Sequence, residues 1–131
     1  MTTQTTMETT FDIDQARQTL QRRAARRRQR LGALEQTAHQ DVRVIVEILI
    51  SRYRPKRIYQ WGSLLHPGRF REWSDIDIAL EGLSDPLDGL RAADAAGDVT
   101  RFPVDLVELD RIDPRHARDI RNEGRLLYEE P

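Results

Sequence analysis

The segment Asp75-Ile76-Asp77-Ile78-Ala79-Leu80 constrains the fold more than any other. Its polar and apolar residues alternate, which is the pattern of a strand with one buried face. Side chains on a strand point alternately to opposite sides. Asp75 and Asp77 therefore share a face, with Cα atoms roughly 6.6–6.8 Å apart, while Ile76, Ile78 and Leu80 point into a core. An earlier apolar segment, Arg57 to Trp61, runs into Gly62-Ser63, and eleven residues then separate Ser63 from Asp75. A Gly-Ser turn leaving a strand offers backbone N–H groups to a phosphate. Two carboxylates on one strand face suit Mg²⁺, which takes oxygen ligands and keeps positions open for substrate phosphates. Together these features point to chemistry on a nucleoside triphosphate.

A chain of 131 residues fits one domain with a modest core. It contains no cysteine, so disulfides and thiolate metal sites are excluded. No apolar run is long enough to span a membrane, and the N-terminus lacks the apolar core of a signal peptide. A cytoplasmic protein without membrane association is expected. The net charge of −1 conceals an asymmetry: Gln15 to Arg57 holds twelve Arg or Lys against three Asp or Glu, and Glu72 to Pro131 holds seven against sixteen.

Along the chain, residues 1–11 read as a Thr-rich disordered tail. Asp12 and Gln15 have the spacing of a helix-opening capping box. Leu20, Ala24, Leu31, Leu34, Ala38, Val42, Ile45 and Leu49 then follow at helical steps. Gly32 costs roughly 1 kcal/mol relative to Ala in a helix, and a break or bend is expected there. Pro55 ends the pattern. Residues 12–41 form a basic helical arm in this reading, and 42–131 form the domain. Val42 to Tyr53 should pack on a sheet. The arginines from Arg22 to Arg30 surround most of the helix and leave the arm exposed, either simply solvated or free to dock on an acidic surface, self-associate or contact nucleic acid. The acidic second half argues against nucleic acid and for a protein partner.

Further strands are expected at Val104 to Leu109 and at Leu126 to Tyr128. Short helices should open at Asp85-Pro86 and Asp113-Pro114, where proline suits the first turn. The result is a small α/β (α+β) fold, a mixed sheet with packed helices and a long N-terminal helical arm. Asp105 faces the same cleft as Asp75 and Asp77 if its strand pairs beside theirs. Three converging carboxylates repel, and without a cation one is driven to hold its proton. Trp61 and Trp73 are expected in core or rim packing, and His39 and His116 carry no usable signal.

At this point the residues resemble a known family. Gly62-Ser63, Asp75-x-Asp77 and Asp105 on a later strand look like the minimal nucleotidyltransferases of the DNA polymerase β superfamily. The ending Ile120-Arg121-Asn122-Glu123-Gly124-Arg125-Leu126-Leu127-Tyr128-Glu129 resembles that family's C-terminal helix and strand. The resemblance spans Val42 to Glu130 and implies the polymerase β-type nucleotidyltransferase fold. It implies that Gly62 and Ser63 bind the triphosphate of ATP. Asp75, Asp77 and Asp105 would hold two Mg²⁺ ions as the catalytic set. The family's usual Ala-Arg pair after the Gly-Ser is replaced by Leu64-Leu65-His66-Pro67-Gly68-Arg69. Pro67 and Gly68 should shorten the helix after the turn, and Arg69 is the candidate to supply the missing positive charge.

The resemblance also points to the antitoxin of toxin–antitoxin modules whose toxin is a HEPN ribonuclease. It implies transfer of AMP from ATP to a hydroxyl of that partner protein. The alternative is a catalytically weak binding module that neutralises the partner by contact alone. Self-association through the N-terminal helix remains open.

Overall fold

The computed structural model describes residues 11–131, so the expected tail over Met1–Thr10 lies outside the described residues. The chain forms two compact units, one reaching Arg30 and the other covering Leu31–Pro131. Helix α1 spans Ile13–Tyr53. Asp12 caps it, its Oδ1 accepting from the Gln15 backbone N–H at 3.0 Å. The helix does not break at Gly32. A cost of roughly 1 kcal/mol at one exposed position is too small to outweigh the helix-forming residues on either side. In the first unit, α1 exposes every arginine between Arg17 and Arg30.

In the second unit the order is β1 (Arg57–Trp61), a 3₁₀ turn (Ser63–Leu65), β2 (Ile76–Glu81), α2 (Asp88–Asp98), β3 (Val104–Glu108), α3 (Pro114–Glu123) and β4 (Arg125–Glu129). The four strands form one mixed sheet in the order β3-β2-β1-β4. β1 pairs antiparallel with β2 and β4, and β2 pairs parallel with β3. Parallel neighbours need a crossover, and α2 lies between them in sequence.

The two sheet faces are covered differently. Ile58, Ile76, Ile78 and Leu80 are fully buried and cluster with Val42, Ile45 and Leu49 of α1 and Ala92 and Ala96 of α2. Ala38 is buried in the same cluster and Leu34 packs against it, so contacts with the core begin before residue 42. The opposite face carries Ala79 and Val107 against Ala117 and Ile120 of α3, with Tyr59 and Trp61 packed alongside. Asp113 caps α3, accepting from the Arg115 backbone N–H at 2.8 Å, with Pro114 in the first turn. Among the described residues no helix is long and apolar enough to cross a membrane.

An ion cluster ties one end of the sheet together. Glu81 of β2 accepts from Arg57 of β1 and, at 2.8 Å, from Arg121 of α3. Arg57 also reaches Glu129 of β4 at 2.9 Å. Burial alone would push the Glu81 carboxyl up, but the hydrogen bonds and charges of Arg121 and Arg57 outweigh it and hold the group below its ordinary value.

Among the described residues one buried side chain is polar. Gln60 is 2% exposed on the α1 face, opposite Ile78, and its Nε2 has no hydrogen-bond partner. Two substitutions should therefore move stability in opposite directions. Leu49→Ala is expected to cost about 2–5 kcal/mol in urea denaturation, because it leaves a cavity under the sheet. Gln60→Leu removes the unpaired amide and should stabilise by about 1 kcal/mol.

Candidate active site

The strand register assembles the acidic residues. In the β2–β3 pair Asp77 stands directly opposite Asp105, and Ala79 opposite Val107. In the β1–β2 pair Trp61 stands opposite Asp77. Asp77, Asp105 and Trp61 therefore lie at one end of the α3-side face, beyond the part that Ala79, Ala117 and Ile120 fill. Asp75 precedes the first residue of β2, outside the strand, and is exposed. Ile76 opens the strand instead, its N–H donating to the Pro103 carbonyl at 2.8 Å.

Gly62 sits where a side chain could not. Its φ is +82°, a left-handed conformation that side chains disfavour. A Cβ built there would fall 1.9 Å from Asp77 Oδ2. The turn after β1 thus rests directly on the Asp77 carboxylate. Gly62, not Ser63, occupies the cap position of the 3₁₀ turn, and no side chain caps it.

The segment after the turn is pinned on both sides. Leu64 and Phe70 are buried, and the Phe70 ring meets Phe102 edge-on with centroids 5.3 Å apart. Glu35 of α1 accepts from the Gly68 N–H at 3.1 Å. Arg71 donates to the carbonyls of Gly68 at 2.6 Å and Phe70 at 3.2 Å, which commits its guanidinium to the loop. Arg69 is exposed. Trp73 is 73% exposed and so departs from the packing expected of it. Its neighbours Glu72, Ser74 and Asp75 are polar, and no apolar surface lies beside it in sequence to cover the ring.

A cavity of about 290 Å³ opens beside Gly62, between the turn and α3. His116, Asp119 and Glu123 line it together with Trp61 and His66. Nothing in the sequence singles out these α3 residues. Their spacing, 116, 119 and 123, marks one helical face, but only the fold places that face against the turn. His116 also meets Trp61 edge-on, with ring centroids 5.3 Å apart.

The electrostatics of the acidic pair are unfavourable without a counter-charge. Desolvation pushes the Asp77 carboxyl up to about 7, and the neighbouring Asp105 and Asp75 add to the shift. Among the described residues no three His, Cys, Asp or Glu side chains are already gathered as a metal cage. The donors present are carboxylate oxygens, which suit a hard divalent cation. A cation there would offset the cost of ionising Asp77.

Two outcomes test this arrangement. The folded protein holds the Asp77 proton more tightly than the unfolded chain. Cation-free protein should therefore lose stability as pH rises from about 4 to about 7. Asp77→Asn should flatten that window and raise the melting temperature at pH 8, with no change at pH 4. Gly62→Ala should displace the Asp77 side chain and lower the melting temperature, because its Cβ meets Asp77 Oδ2 and Cγ and the positive φ is strained for any side chain.

No curated protein matches the chain. The fold resembles a crystal structure of a toxin–antitoxin with AMP-PNP, at 26% identity and a TM-score of 0.55, covering 66% of this chain and 72% of that one. It also resembles the MntA–HepT toxin–antitoxin at 21% identity and a TM-score of 0.55, covering 70% and 73%. A third likeness is to the complex of a tri-AMPylated Shewanella oneidensis HEPN toxin with its MNT antitoxin, at 20% identity and a TM-score of 0.50, covering 73% of each chain. The family model described as Polymerase beta, Nucleotidyltransferase matches residues 43–131. That stretch contains the whole sheet, the Gly62 turn and all three aspartates, and the chain belongs to the polymerase β nucleotidyltransferase family.

Proposed function

We propose that this protein transfers AMP from ATP to a hydroxyl of a partner protein, and that the partner is a HEPN-type toxin which it neutralises as an antitoxin. The observation that carries the reading is the facing pair Asp77 and Asp105 with the Gly62 turn seated against Asp77. The likeness to toxin–antitoxin structures, one with AMP-PNP and one with an AMPylated HEPN toxin, supports the nucleotide and the partner class.

In this reading the backbone at Gly62 and Ser63 holds the triphosphate, and Arg69 adds positive charge from the exposed loop. Asp75, Asp77 and Asp105 would hold magnesium. Bound there, Mg²⁺ supplies Lewis acidity and neutralises the charge on the phosphates. The partner's hydroxyl oxygen attacks the α-phosphorus in line. A new oxygen–phosphorus bond forms, the bond to the bridging oxygen breaks, pyrophosphate leaves, and the hydroxyl proton passes to a carboxylate. Asp105 is assigned that role, since it is exposed at the sheet edge where an acceptor approaches. Most of the rate enhancement would come from positioning and electrostatics.

A second reading keeps the fold and drops the chemistry. Only a three-residue 3₁₀ turn follows Gly62, and the carboxylates are not gathered in advance. The protein would then neutralise its partner by contact.

Intact-mass spectrometry of the coexpressed toxin separates the two. Adenylyl units are expected on the toxin with the wild type and none with Asp75→Asn, Asp77→Asn. An unmodified toxin, still bound and still silenced by that double variant, would establish the contact inhibitor instead. In a thermal-shift titration, Mg²⁺ should raise the melting temperature of the wild type and leave that of Asp77→Asn unchanged.

A further inference from the structure

The arginine-rich stretch of α1 belongs to the first compact unit. Seven arginines fall between Arg17 and Arg30, and residues 15–34 hold no Asp or Glu. All seven are exposed on continuous helix. A helix turns once per 3.6 residues and rises about 1.5 Å per residue, so Arg22, Arg26 and Arg30 form a column with one guanidinium about every 6 Å, and Arg23 stands beside it. Arg17 and Arg28 fall on the other side, near Leu20 and Ala24.

We propose that this arginine surface binds the phosphate backbone of a single nucleic-acid strand without reading its sequence. Charge density is the main argument. Arg22, Arg23, Arg26 and Arg30 fall within nine helical residues, about 13 Å, which gives that side one positive charge per about 3 Å. A single strand carries one phosphate per about 3.4 Å. Guanidinium groups also match phosphate oxygens in forked, bidentate hydrogen bonds.

Other polyanionic partners fit less well. Carboxylates packed at that density on a folded protein repel one another and take up protons, whereas phosphodiesters stay ionised. A helix that lies on an anionic membrane needs one continuous apolar face. Here Arg17 and Arg28 interrupt the side that carries Leu20 and Ala24.

The acidic second half argued against nucleic acid when the chain's charge was read as a whole. The fold divides that charge. Leu31–Pro131 holds fourteen Arg or Lys against nineteen Asp or Glu, a balance of −5 that belongs to the other compact unit.

Fluorescence anisotropy of the full chain with labelled single strands of about 20 nucleotides tests the proposal. Oligo-uridylate and oligo-thymidylate should both bind. Between about 50 and 200 mM salt, the affinity should fall with a log–log slope near −3, as four phosphate contacts predict at about −0.7 each. Replacing Arg22, Arg23, Arg26 and Arg30 with Gln should weaken binding at least tenfold and flatten the slope, and Lys at those positions should restore most of it. Helicity by circular dichroism should be the same in all three proteins. No binding by the wild type at about 50 mM salt would overturn the proposal. So would equal binding by the Gln variant, competition by polyglutamate as strong as by unlabelled strand, or capture by phosphatidylserine vesicles alone.

Discussion

The parallel pairing of β2 with β3 is the constraint on which the rest depends. It sets Asp77 against Asp105 on one face while Ile76, Ile78 and Leu80 close the other face under α1. A slip of β2 by one residue would turn Asp77 into the apolar layer and expose its isoleucines. Burial of the core therefore fixes the acidic pair. The same apolar layer that stabilises the sheet keeps two carboxyls side by side, and ionising both carries an electrostatic cost that a proton on Asp77 or a bound cation relieves.

That cost has a local accomplice in Gly62. Its missing side chain lets the turn come down onto Asp77, which adds desolvation to the repulsion from Asp105. Phe70, packed on Phe102, and the Glu35–Gly68 hydrogen bond hold the far end of the same loop. The turn is thus braced from both sides. A braced turn can present backbone donors at a fixed place, which is what recognition of a phosphate demands.

Much of this was legible in the sequence. The alternation in β2, the capping Asp12 and Asp113, and the stop at Pro55 are short-range signals, and each marks an observed element or its end. Asp77 and Asp105 could be nominated because strand parity assigns faces without knowledge of the tertiary fold. Gly32 misled because propensity at one residue is weak beside forty others in the same helix. His116, Asp119 and Glu123 were invisible for a different reason. Nothing local distinguishes them from any exposed helical face, and only the docking of α3 beside Gly62 brings them to a cavity. Trp73 was expected to pack because aromatic rings usually do, yet it stands in solvent beside Asp75.

The cluster of Glu81 with Arg57, Arg121 and Glu129 lies at the end of the sheet away from Asp77, four residues or about 13 Å further along β2. Anchorage and the acidic pair therefore occupy opposite ends of one strand. Mutation can erode the acidic end without loosening the clamp that joins β1, β2, β4 and α3. The fold can therefore outlast the loss of either aspartate, because the residues that hold the sheet together are not the ones that gather charge at its other end.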